Sequence, residues 1–126
     1  MAHILVIDSE DTAANELIRV LKKKGHTADR VRDTAATYAY LRERVPSLFI
    51  LDLMAAIRGR PTDLPEGVRL LAQLYLDHPE VPLIVYSRSR KYRQQFWSWA
   101  AAAHISKREG TATLTEVIEK LLGSRS

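Results

Sequence analysis

Four residues of this 126-residue chain stand where chemistry could be done: Asp8, Asp52, Ser87 and Lys107. Each follows a short run that reads as a strand, and the first three of these runs are apolar. His3-Ile4-Leu5-Val6-Ile7 leads to Asp8, Leu48-Phe49-Ile50-Leu51 to Asp52, Pro82-Leu83-Ile84-Val85-Tyr86 to Ser87, and His104-Ile105-Ser106 to Lys107. Carboxylates are ligands for a hard cation. A lysine ammonium is a compact positive charge, and a hydroxyl can donate to an oxyanion. Singly, each residue has a plainer reading as a cap, a turn residue or a solvated charge. Their joint occurrence carries the argument, because ligands of an open α/β sheet collect at the carboxyl ends of its strands.

Those ends must be held by strands and the helices between them. The four-residue run ending at Leu51 shows no alternation, so it reads as a strand buried on both faces. His26 to Val31 is a weaker strand. After the first strand, Ser9 or Asp11 could cap a helix whose inward stripe is Leu17, Ile18, Val20 and Leu21. Lys22-Lys23-Lys24 suit its last turn and Gly25 closes it. Asp33 is expected to cap a second helix that runs to Arg44, where Val45-Pro46 ends it. Leu53–Pro65, with Gly59, Pro61 and Pro65, reads as a long loop. A third helix starts near Glu66 or Gly67 and stops at His78-Pro79. A fourth is expected over Lys91–Ala102. A fifth opens with the capping-box pattern Thr113-Leu114-Thr115-Glu116 and continues as Val117, Ile118, Leu121 and Leu122. Strands alternating with helices imply βαβ units, parallel pairing and helices on both faces.

Composition sets bounds on the class. With 46% hydrophobic and 27% charged residues the chain reads as one ordinary soluble domain over residues 1–126. It has no cysteine, so disulfide and thiolate chemistry are excluded. No apolar stretch approaches the ~20 residues of a membrane span, and Met1-Ala2-His3 leads directly into a strand. A cytoplasmic protein without membrane contact is expected. The net charge of +4 permits acidic partners without demanding them.

Asp8, Asp52, Ser87 and Lys107 in this order and at this spacing resemble the response-regulator receiver domain, over nearly the whole chain. The run Phe96-Trp97-Ser98-Trp99-Ala100-Ala101-Ala102 before the last strand resembles a subgroup of short, single-domain receivers. The resemblance implies a flavodoxin-like, doubly wound, five-stranded parallel sheet of order 2-1-3-4-5 with five flanking helices. It implies two-component phosphorelay signal transduction, in which Asp52 accepts a phosphoryl group from a histidine kinase or a small phosphodonor. Ser87 and Lys107 would then be the catalytic hydroxyl and cation. Magnesium (Mg2+) would be held by Asp8, Asp52 and the backbone carbonyl of Met54, and Ser87 with His104 would form the switch. Such a chain is a phosphoacceptor signalling domain rather than an enzyme. Output would pass by protein contact through the predicted helix over 91–102, the last strand and the last helix, to a partner or to a second copy of this chain. Trp97 and Arg93, four apart on that helix, would belong to the contact surface. No helix-turn-helix pattern is present, so DNA contact is not expected.

Several positions depart from the family pattern. Receivers usually carry two adjacent acids after the first strand, and here the second is Ser9. Glu10 and Asp11 follow, but at the start of a helix they are expected to point elsewhere, so metal affinity should be weakened. Arg88 stands where a small residue is usual, and Arg108 where many receivers have proline. The loop after Asp52 is about seven residues longer than usual. These departures keep a second function open: a phosphate-independent pseudo-receiver, acting as a constitutive protein-interaction module.

Overall fold

The computed structural model describes residues 2–53, 66–88 and 100–123. Five parallel strands form one sheet in the order β2-β1-β3-β4-β5. They are β1 His3–Ile7, β2 Thr27–Val31, β3 Leu48–Leu51, β4 Leu83–Ser87 and β5 Ala103–Ser106. Four α-helices lie among the described residues: α1 Asp11–Lys23, α2 Thr34–Glu43, α3 Glu66–Asp77 and α4 Gly110–Gly123. The helix expected over 91–102 and the loop after Leu53 lie almost entirely outside the described residues.

The strands divide their side chains between two cores. Leu5, Ile7, Phe49, Leu51, Leu83 and Val85 face Val68, Leu70, Leu71 and Leu74 of α3. Their neighbours Ile4, Val6, Leu48, Ile50, Ile84 and Tyr86 face Leu17 and Leu21 of α1 and Leu114 and Ile118 of α4. Successive residues of a strand point to opposite faces, so a continuous apolar run is what a two-sided core demands. Each such leucine or isoleucine contributes about 1.5–3 kcal/mol of burial free energy. The polar residues of β2 are tolerated because β2 is an edge strand, paired only with β1.

Local signals mostly act where expected. Asp33 caps α2, its carboxylate accepting from Ala36 N–H at 2.8 Å. Gly25, at φ 90°, turns the chain out of α1 in a conformation glycine adopts without strain. Two caps differ. Neither Ser9 nor Asp11 caps α1; Glu10 occupies that position and makes no side-chain cap bond. The capping box before α4 is Ser106-Lys107-Arg108-Glu109, not Thr113 to Glu116. Ser106 Oγ accepts from Arg108 N–H at 3.2 Å, and Glu109 Oε2 accepts from Ser106 N–H at 2.7 Å. A 3₁₀ turn, Lys107–Glu109, precedes Gly110, so the chain is already helical when Thr113 is reached.

Sheet order positions the site. From β1 the chain crosses first to β2 on one side and then to β3 on the other. The carboxyl ends of β1 and β3 therefore flank the switch point of the topology, where a crevice opens. Asp8 follows β1 there and Asp52 follows β3.

Candidate functional site

Backbone bonds fix the two aspartates. Asp8 N–H donates to the Val31 carbonyl at 3.0 Å, and Asp52 N–H to the Ile7 carbonyl at 2.9 Å. Arg30 Nε donates to the Asp8 carbonyl at 2.8 Å. Ser87 is the last residue of β4, and the capping box at Ser106 turns Lys107 back over the sheet edge. Asp8, Asp52 and Ser87 are all buried, and the Lys107 side chain is only 7% exposed.

The four sequence-predicted groups converge. Lys107 Nζ lies 2.8 Å from Asp52 Oδ2 and 2.8 Å from Asp8 Oδ2. Ser87 Oγ donates to the other Asp52 oxygen, Oδ1, at 3.1 Å. A fifth group joins them against expectation. Glu10 points into the site, its Oε2 accepting from Lys107 Nζ at 3.0 Å. The ammonium has three protons and three carboxylates to receive them.

The turn after β1 explains how Glu10 gets there. Glu10 N–H donates to Asp8 Oδ1 at 2.9 Å, and its backbone is extended. Asp11 is drawn the other way, to Arg30 at 2.8 Å and to Arg32, both from the β2 side. The guanidinium of Arg88 pairs with both oxygens of Glu10, with Nε 3.2 Å from Oε2. Sequence spacing after β1 could not show which of Glu10 and Asp11 turns inward, because the deciding arginines lie on another strand. Ser9 is exposed and brings no carboxylate.

Electrostatics follow from the crowding. Arg88 and then Lys107 hold the Glu10 carboxyl down at about 2. Burial pushes Asp8 up, and its bonds to Lys107 and the Glu10 N–H only partly offset this. Burial opposes the Lys107 charge, yet the hydrogen bonds and charges of Asp52 and Asp8 outweigh it, so its pKa rises. Asp8, Glu10 and Asp52 each offer an oxygen within 4.8 Å of the others. An all-oxygen, carboxylate-rich set fits Mg2+ or a similar hard cation rather than a thiophilic one. A groove of about 250 Å³ opens beside Lys107, between the first turns of α1 and α4. Met54 lies outside the described residues. His104 is half-buried on β5, in register with Val85 of β4.

The model of the response regulator receiver domain matches residues 4–119. The nitrogen assimilation regulatory protein NtrX of Azorhizobium caulinodans is 33% identical over 88 residues. The match takes in 69% of this chain and only 18% of the relative's length. A crystal structure of NtrX from Brucella abortus superposes with a TM-score of 0.82 at 25% identity, over 98% of this chain and 26% of that one. The response regulator TrrA of Thermotoga maritima, in complex with Mg(2+)-BeF, shares the fold with a TM-score of 0.80 at 22% identity, over 96% of this chain and 99% of its own. With its matched residues, its 2-1-3-4-5 sheet and its acids at the switch point, the chain belongs to the response-regulator receiver domains of two-component systems.

Proposed function

We propose that this receiver accepts a phosphoryl group on Asp52 and signals through protein contact. One observation carries the reading: the two oxygens of Asp52 have different partners, the Ser87 hydroxyl on one and the Lys107 ammonium on the other. In the transfer, a carboxylate oxygen of Asp52 forms the bond to phosphorus. The bond from phosphorus to the donor breaks, and its electron pair leaves with the donor, a phosphohistidine or a small acyl phosphate. Nucleophile and phosphoryl are both anionic, so positioning and charge neutralisation supply most of the rate. Lys107 offsets charge on the incoming oxygens, and Ser87 donates to one of them. Mg2+, held by Asp8, Asp52 and the Met54 carbonyl, would supply the remaining positive charge.

The output belongs to the same reading. Ser87 moves toward the bound phosphoryl group, His104 follows on the neighbouring strand, and the surface of β5 and α4 changes its affinity for a partner protein or a second copy of this chain. A cytoplasmic location is part of the proposal. In support, no helix among the described residues is long and apolar enough to cross a membrane.

Incubation with acetyl phosphate and Mg2+, read by intact mass, tests the acceptor. The wild-type protein gains one phosphate and Asp52→Asn gains none. A wild-type protein that stays unmodified at high donor and metal would establish the phosphate-independent interaction module instead.

A further inference from the structure

The geometry points to Glu10 as the carboxylate that replaces, in the divalent-cation site, the acid missing at Ser9, with Arg88 as a built-in cation that competes for it. The inference rests on the metal-binding part of the reading above and adds two residues to it.

Three observations meet here. Ser9 is exposed, and its carbonyl faces Arg32 at 3.5 Å. Asp11 is turned outward by Arg30 and Arg32. Between them, Glu10 has φ −86° and ψ 105°, an extended conformation in which neighbouring side chains take opposite sides. Glutamate is one methylene longer than aspartate, which gives it reach from a position one residue further along. Its Oε2 ends on the same ammonium as Asp8 and Asp52. The three acids therefore share one centre, and Lys107 now marks where positive charge is favoured.

Arg88 sits on the outer side of that centre. Its planar fork occupies both oxygens of Glu10. The Arg88 side chain is 70% exposed, and ion pairs this exposed exchange readily with water and other cations. Besides Lys107 on its Oε2, Glu10 thus has two cations that compete for it: a divalent ion inside the crevice and Arg88 at its mouth. Binding of the cation releases Arg88, and removal of Arg88 frees Glu10 for the cation. The receiver would keep a usable metal site without the usual second acid, and Arg88 would lower its affinity.

Binding of Mg2+ and Mn2+ alone, by calorimetry and by Mn2+ paramagnetic resonance on the full chain without phosphodonor, tests this. Glu10→Gln is expected to weaken binding by about tenfold or more. Arg88→Gln is expected to tighten it about two- to fivefold, the scale of an exposed ion pair. In the double variant the Arg88 effect disappears, because its partner is gone. Ser9→Asp added to Glu10→Gln restores affinity to near the wild-type value. Circular dichroism and thermal melts establish that each variant is folded, and Arg88→Gln alone still tests the competition if Glu10→Gln does not fold. An unchanged affinity in Glu10→Gln would overturn the assignment. So would equal tightening by Arg88→Gln with and without Glu10, which would make Arg88 a general field on Asp8 and Asp52. Normal metal binding with no phosphate on Asp52 would sink the acceptor reading and leave this one standing.

Discussion

Gly67 packs so closely against Leu53 that a methyl group at its Cα would lie 1.8 Å from the Leu53 carbonyl oxygen. Leu53 follows Asp52, so this contact ties the start of α3 to the backbone beside the candidate phosphorylation site. The obstacle is backbone rather than a flexible side chain, and it cannot swing away. Gly67→Ala is expected to destabilise the fold by about 2 kcal/mol or more, read by urea denaturation. A loss below half of that would mean that the close approach is not held in solution.

Lys107 is the buried counter-charge for Asp8, Glu10 and Asp52. Removing it leaves Asp8 and Asp52 without their buried ammonium, and Arg88 still pairs only with Glu10. Lys107→Met should cost about 3 kcal/mol at neutral pH. Asp52→Asn should be far milder, since two acids still share the ammonium and one repulsion is removed. Parallel urea melts settle the ranking, and an Asp52→Asn loss equal to that of Lys107→Met would contradict it.

Helix caps offer a comparison of one position with another. Ser106→Ala removes the acceptor for Arg108 N–H, and Asp33→Ala removes the acceptor for Ala36 N–H. Each should cost about 1 kcal/mol. Thr113→Ala should cost less than either, about 0.5 kcal/mol, since the Thr113 hydroxyl caps no N–H and only donates to the Glu109 carbonyl at 3.1 Å. Thermal melts that place Thr113 above Ser106 would return the cap to the position expected from the sequence.

Tyr40 supplies the pH test. Burial, then the hydrogen bond to Asp29 Oδ2 at 2.8 Å and the charge of Asp29, push its phenol from 10.0 up to about 12. The folded value is raised, so the stabilising contribution is fully present below pH 10. It is lost as pH rises toward 12, where the folded phenol ionises. Burial also raises Tyr86, so ultraviolet titration should show late tyrosine ionisation that loses one residue's amplitude in Tyr40→Phe and moves in part to lower pH in Asp29→Asn. An unchanged late ionisation in Asp29→Asn would separate Tyr40 from Asp29.

Much of this protein was legible in its sequence because the information was local. Apolar runs marked β1, β3 and β4, and the polar residue after each run marked the site edge. Asp33, Gly25 and Pro46 ended or began helices through bonds and backbone angles that involve only their near neighbours. The strand order required the family resemblance, since periodicity does not say which strands pair. Glu10 was misplaced for a related reason. Nothing within Asp8-Ser9-Glu10-Asp11 says which acid turns inward; Arg30, Arg32, Arg88 and Lys107 decide it from β2, the end of β4 and the turn after β5. The capping box at Ser106 was present as a pattern, but Thr113 offers the same pattern, and only the path of the chain out of β5 chooses between them. Short-range hydrogen bonding and hydrophobic period are written in consecutive residues. The direction of a charged side chain is set by the field of distant residues, and that field exists only once the sheet has assembled.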